Sequence, residues 1–479
     1  MELETIVMRR RSFAHLVGLV FVMIALALLL PSQILAQTSG GTSGSTSGSS
    51  TGTDITRAGV VVDAEGVLRT KTFSDPRGQL TWERIAAAKT TLDPKVTAPS
   101  RLRKISLNRL EEVILQRQGV LNEEMRYLAG LQRIQYVFFY PDSKDIVIAG
   151  PAEGWITDIS GRVVGMTTGR PAIQLQDLVV GLRAFPPEGK STQVIGCSID
   201  PTPEGLAAMQ QFLNSIGSTI RPGLTTAYII NGLRTNLGMH RISVDGVSPK
   251  THFAQVMVEA DYRMKLIGIG LERPPVRLAS YVYLANPSEV GRNALQRWFF
   301  TPDYQCVRVS NDQLAMELVG EGVKLVGENE LVSSAGQRQI SGGFNKASQA
   351  FVTGFTKLYP ELAARSPIYA ELRNLIDIAI AAAFIQQQDY YGKAGWNMEF
   401  FGDENAFSVE TYEIPKTVET VVNAIWKGNH LMTPVGGGVE IKPTMALESD
   451  KLLADEKGKV AKLHDEIEIN LGKGQWWWD

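Results

Sequence analysis

Cysteine is nearly missing: Cys197 and Cys306 are the only two in 479 residues. That excludes a disulfide-dense scaffold and a zinc site built from thiolates. Two readings remain for the pair: one disulfide in an oxidising compartment, or two small packing residues in separate core strands. An excess of charge of either sign is missing as well. Lys and Arg number 48 against 50 Asp and Glu, a formal net charge of −2, without the basic bias that nucleic acid as a partner requires. A phosphate loop is also lacking. Gly436-Gly437-Gly438 has no helix signal after it and no Lys-Ser or Lys-Thr pair, and it reads as a turn before a strand at 439–441. No motif points to a cofactor or a metal, and neither is expected. Apolar residues at 44% and charged residues at 20% are ordinary for a chain with a real core.

The N-terminus carries an address. Arg9, Arg10 and Arg11 precede residues 16–30, a stretch without a polar side chain, and Pro31 then breaks any helix. Ala36 offers a small residue before a cut, the layout of a secretory signal over residues 1–36. A retained anchor over residues 13–30 also fits, with the arginines holding the N-terminus inside. Arg10-Arg11 in addition resembles a twin-arginine export signal. Residues 38–53 are all Thr, Ser or Gly. Such a tract cannot bury apolar surface; its sixteen residues reach roughly 20–24 Å, and residues 37–58 read as a linker.

Beyond the linker the pattern predicts a mixed α/β or α+β fold. Hairpins and strand–helix units fill the N-terminal two-thirds, and the C-terminal part is expected to be mostly helical. Hairpins are predicted at 60–73, 134–149 and 156–164, each around an Asp-containing turn. Two strand–helix units follow: 194–199 running into a helix capped by Thr202 with Pro203 at its first position, and 241–247 running into a helix from His252 capped by Thr251. A short helix is expected at 293–300. The folded part divides into an α/β module at 59–340, a mostly helical part at 341–446, and a charged tail at 447–479 that ends in Trp476-Trp477-Trp478. Within the helical part, the helix starting at Pro367 is apolar on nearly all sides beyond Leu375. It should be buried, with a polar partner for Asp377. The terminal tryptophans suit a membrane interface, a partner's groove or a loose chain end.

The densest polar cluster is His252, Glu259, Asp261, Arg263 and Lys265. A histidine with two carboxylates is material for acid–base chemistry or for a metal. Glu259 with Arg263 and Asp261 with Lys265 are each four apart with the acid first, the favourable order for helix ion pairs, so surface pairing accounts for all four charges. Asp200 ends a strand, where open α/β sheets place their sites. It also precedes Pro201 at a helix entry, where Asp serves turns and caps. Cys197 would act as a nucleophile only with a histidine nearby, His240 or His252.

Four phrases carry a family likeness: Cys197-Ser198-Ile199-Asp200-Pro201-Thr202, the run from His252 through Glu259-Ala260-Asp261-Tyr262-Arg263 to Gly268, Leu372-Arg373-Asn374-Leu375, and Pro434-Val435-Gly436-Gly437-Gly438-Val439. Over roughly residues 59–446 the chain resembles an exported family of planctomycete-type bacteria catalogued as a domain of unknown function. The resemblance implies bacterial export and one family-wide module. It implies no activity and no site residues. The expectation is therefore an exported, non-catalytic binding or structural module of the periplasm or cell envelope, with an unidentified envelope partner, a protein being one candidate. Membrane contact is expected only through the N-terminal helix, if that is retained. The alternative is an exported hydrolase with a site near Asp200 and the His252 helix.

Overall fold

The strand periodicities of the sequence assemble into two large sheets. In a computed structural model the described residues are 55–216, 226–286, 294–333, 337–340, 345–423, 426–427, 430–431 and 435–479. All belong to the compact unit Gly52–Asp479. The export signal and most of the linker lie outside the described residues. Among the described residues, no helix is long and apolar enough to cross a membrane.

The larger sheet has nine strands in the order Ile55–Val62, Val67–Asp75, Thr417–Glu419, Met239–Asp245, Ile195–Asp200, Val435–Ile441, Ala294–Pro302, Val323–Val332 and Arg338–Ile340. Neighbours run antiparallel except Thr417–Glu419 on Val67–Asp75 and Val435–Ile441 on Ala294–Pro302. The smaller sheet has seven: Leu453–Ala454, Val307–Val309, Ala315–Leu318, Tyr136–Tyr140, Asp145–Ala152, Ser100–Ser106 and Trp477–Trp478.

These sheets correct the expectation of a mostly helical C-terminal part. Helices do occupy Lys346–Lys357, Tyr359–Arg365 and Pro367–Gln387, but Thr417–Glu419 and Val435–Ile441 are inner strands of the larger sheet. The triple glycine is strand and not turn. A Cβ on Gly437 would stand 1.8 Å from the carbonyl oxygen of Trp298. The run reads as a turn because glycine is poor in strands, yet here two neighbouring backbones approach too closely for any side chain. The expected helix at 293–300 is the strand Ala294–Pro302. Its signal is period two: Gln296, Trp298 and Phe300 are buried, and the residues between them are only half-buried.

The charged tail carries one α-helix among the described residues, Lys459–Glu466. The terminal tryptophans neither hang free nor await a partner. Trp476 is buried, and Trp477 and Trp478 pair with Ile105 and Lys104. Arg103, fully buried, stacks its guanidinium 4.7 Å from the Trp477 ring and donates to both carboxylate oxygens of Asp479 at 2.9 Å.

Two helices make the interior. Every residue of Pro367–Gln387 from 368 to 385 is buried, including the predicted Leu372, Leu375, Ile376, Ala379, Ala383 and Phe384. Asp377 has the required partner, Arg133 Nε at 2.8 Å. The helix His252–Gly268 is likewise buried at every position from 256 to 268. It packs on the strands Ile195–Asp200 and Val435–Ile441 on one side and on Pro367–Gln387 on another. One continuous apolar cluster runs through both sheets and both helices. Burying each large aliphatic side chain there contributes roughly 1.5–3 kcal/mol before entropy is counted.

Candidate functional site

The helix His252–Gly268 positions most of the groups of interest. Thr251 caps it, its hydroxyl accepting from the Ala254 N–H at 3.2 Å and donating to the Ser248 carbonyl at 2.8 Å. This fixes His252 on the first turn. Its imidazole Nδ1 lies 2.8 Å from Asp177 Oδ2, a buried carboxylate on the helix Leu175–Ala184.

The hydrogen-bond chain on the other side assigns the tautomer. The Glu410 N–H donates to Gln176 Oε1 at 3.2 Å, so Gln176 Nε2 is the donor to Gln174 Oε1 at 2.6 Å and to the Tyr412 hydroxyl at 3.0 Å. Gln174 then turns its Nε2 toward His252 Nε2 at 3.4 Å. An amide N–H there needs a lone pair opposite it. His252 is therefore neutral in this arrangement, with Nδ1–H donating to Asp177 and the Nε2 lone pair facing the Gln174 amide. Burial alone would lower its pKa, but the charge of Asp177 outweighs burial and the net direction is upward.

Two turns further along, Glu259 accepts from Arg162 Nη2 at 2.5 Å and from Arg263 Nη1 at 3.4 Å. Arg162 comes from the turn of the hairpin Trp155–Thr157 and Val163–Gly165 and also donates to Glu371 Oε2 at 2.9 Å. Burial pushes the Glu371 carboxyl above its ordinary range, and Arg162 only partly offsets this. Arg263 also donates to Glu272 at 2.7 Å.

Around this set opens a cleft of about 450 Å³. Its walls are Val60, Val62, Leu68, Phe73 and Val256, and its polar floor is Arg162, Gln174, His252, Glu259 and Tyr412. Apolar walls with a few convergent polar groups are the usual form of a ligand site. The floor is already internally paired. No serine or threonine hydroxyl is bonded to His252 among the described residues. Ser160, which lines the cleft, donates to Asp158 at 2.6 Å.

The other sequence candidates lie elsewhere. Asp261 and Lys265 form the expected i,i+4 pair at 2.6 Å, but inside the core and not on a surface. Lys265 also donates to the carbonyls of Ile199 at 3.0 Å and Gly437 at 2.9 Å, which uses all three of its N–H groups. Burial pushes Asp261 up to about 6 in spite of Lys265. Asp200 follows Ile199 beside this pair, and Asp261 is nine residues and roughly 13 Å along the helix from His252. Arg297 Nη2 at 3.0 Å and Arg338 Nη1 at 3.1 Å grip its carboxylate. Burial opposes its ionisation, but Arg297, Lys265 and Arg338 together hold its pKa below the ordinary value. Asp200 and His252 do not share a site.

Cys197 and Cys306 are both free and buried. The first lies in the larger sheet and the second beside the strand Val307–Val309 of the smaller one. Burial raises the Cys197 thiol far above its ordinary range and pushes Cys306 up to about 12, so neither is a ready nucleophile. Among the described residues no group of three or more His, Cys, Asp or Glu side chains is placed to hold a metal.

Sequence reasoning missed Asp177, Arg162, Glu371, Gln174 and Tyr412. One of these had a signal. Asp177 is the lone charge in the stretch 172–182, the same feature that singled out Asp377.

A family model described as "Protein of unknown function (DUF1598)" matches residues 197–281. The match takes in all but Ile195 and Gly196 of the strand Ile195–Asp200 and its helix, and the whole of the second strand–helix unit, the His252 helix included; it leaves out Asp177, Arg162 and Glu371. No curated protein and no solved structure matches the chain.

Proposed function

We propose that this chain is an exported, non-catalytic binding module of the cell envelope, and that its ligand occupies the cleft between the hairpin 55–75 and the His252 helix. The observation that carries this reading is the saturated floor of the cleft. Arg162, Glu259, Glu371 and Arg263 are spent on one another, which gives a preorganised surface and no free nucleophile. Export rests on the three arginines, the apolar run and the Ser/Thr/Gly tract. Planctomycete-type origin and a family module extending over residues 59–446 rest on the quoted phrases.

The hydrolase is the second reading, and one observation favours it: an Asp177–His252 pair on the floor of the cleft whose Nε2, held only by a long 3.4 Å contact to the Gln174 amide, suits a general base. On that reading the site is His252 with Asp177, and Asp200 has no part in it.

Three measurements test the proposal. Calorimetric titration of the full chain with short peptides, amino acids and sugars should find a ligand whose binding is lost when Gln255→Trp fills the cleft. Turnover of ester, peptide or phosphate substrates that disappears in His252→Ala would overturn the non-catalytic reading. For export, recovery of the intact chain in the cytoplasmic fraction would refute it.

A further inference from the structure

Resting on the cleft as the binding site, we infer that its ligand is an extended, cationic peptide segment that adds as a strand to the free edge of Ile55–Val62. The two large sheets end in four edge strands. Three are blunted by length: Arg338–Ile340 has three residues, and Leu453–Ala454 and Trp477–Trp478 have two each. The fourth, Ile55–Val62, has eight residues, no proline, and no charge from Ala58 to Val62. Folded proteins shorten, charge or cover such edges because they template pairing. This one is covered only in part. Arg263 Nη1 donates to the Ala58 carbonyl at 3.2 Å, and Arg57 lies 3.7 Å from Asp158 on the neighbouring turn. From Gly59 on, the strand borders the cleft.

The register says which backbone groups are on offer. The Asp63 N–H donates to the Val67 carbonyl at 3.0 Å, so Asp63 and Val67 are a bonded pair. Bonded and non-bonded pairs alternate in an antiparallel ladder. Gly59 and Val61 therefore bond to the partner strand, and Ala58, Val60 and Val62 turn N–H and C=O outward. The Arg263 bond to Ala58 agrees with this assignment. Four consecutive residues, Gly59 to Val62, line the cleft. Alternate strand residues face opposite ways, so the cleft follows the edge and not one face. These four residues span roughly 13 Å, enough for a short extended segment to bond to Val60 and Val62.

Charge selects the occupant. Acidic groups in and under the cleft are Glu259, Glu371, Asp177, Glu272 and the exposed Glu413. The bases are Arg162, Arg263 and Arg57, the last matched by Asp158, and even a protonated His252, whose pKa, against burial, Asp177 holds upward, leaves the acids in the majority. The excess is negative, which favours Lys or Arg on the incoming strand and disfavours Asp or Glu.

The test is anisotropy of a dansyl-labelled, end-blocked hexapeptide of alternating Lys and Val, titrated with the full chain at low salt. Binding should weaken by about tenfold or more when alternate peptide nitrogens are methylated, because each lost hydrogen bond is worth about 1 kcal/mol. It should weaken similarly when Lys is replaced by Glu. Val60→Pro removes an outward N–H at an edge position that tolerates proline. It should cost about tenfold with the thermal midpoint unchanged. The methylated peptide gives the same answer if that variant does not fold. No binding at about 1 mM, or equal binding of the methylated peptide, overturns strand addition. If binding then remains sensitive to Gln255→Trp, the cleft itself survives as the site; if not, both readings fall. Dimerisation of the chain abolished by Val60→Pro would make a second copy the occupant and overturn the peptide.

Discussion

The helices His252–Gly268 and Pro367–Gln387 are both enclosed by protein, yet they reach that state by different means. In the second, charge is sparse, and each charged group is answered from another element: Glu371 by Arg162, Arg373 by Glu321 and Asp377 by Arg133. In the first, Glu259, Asp261, Arg263 and Lys265 follow one another at alternate positions and pair partly within the helix. An isolated charge in an apolar run advertises burial, because it needs a partner from elsewhere. A helix that carries its own partners hides its burial, since the same spacing serves an exposed face.

The contrast predicts that the first helix is broken by charge and the second by volume. Lys265→Met leaves Asp261 unpaired in the core and should cost about 4 kcal/mol at pH 8, read by urea unfolding, and less at pH 5, where Asp261 takes up a proton. A loss under about 1 kcal/mol would place the pair in solvent after all. Leu375→Ala opens a cavity in the second helix and should cost about 3 kcal/mol at any pH between 5 and 8.

The pH dependence sharpens the same contrast. Asp261 titrates near 6 in the folded protein against 3.8 for the free group. Between those values the folded form keeps a proton that the unfolded chain has lost. Its contribution to stability therefore falls as pH rises from about 4 to about 6 and is level above, by at most about 3 kcal/mol. Asp261→Asn should flatten that part of the stability–pH curve whatever its absolute stability; an unchanged slope would remove Asp261 as its cause. The smallest effect is at the cap. Thr251→Ala should cost about 1 kcal/mol, and it should loosen the His252 end of the helix, seen as faster amide exchange there, without touching the Lys265 end.

The legible parts of the fold were those with a strong local signal. The hairpin around Asp63, the Thr202 and Thr251 caps and the apolar face of Pro367–Gln387 all follow from nearest neighbours in sequence. The illegible parts were set by distant backbone. Nothing near Gly437 announces that the carbonyl of Trp298 will stand against it, and nothing near Trp477 announces a partner at Ile105. The site divides the same way. His252 and Glu259 were visible, and their order on one helix was right. The hairpin turn that brings Arg162 and the helix that brings Asp177 could be joined to them only through three dimensions.

The order of strands in the larger sheet bears on how the molecule assembles. Val435–Ile441 lies between Ile195–Asp200 and Ala294–Pro302, so the centre of that sheet is completed by a segment made long after both of its neighbours. Until it arrives, two inner strands present bare hydrogen-bonding rims. A topology with such distant pairings folds slowly, and the unfinished rims are where another chain could pair first. Chaperone dependence and sensitivity to synthesis rate should therefore trace to this late strand and to the shorter Thr417–Glu419, which likewise enters between two earlier strands.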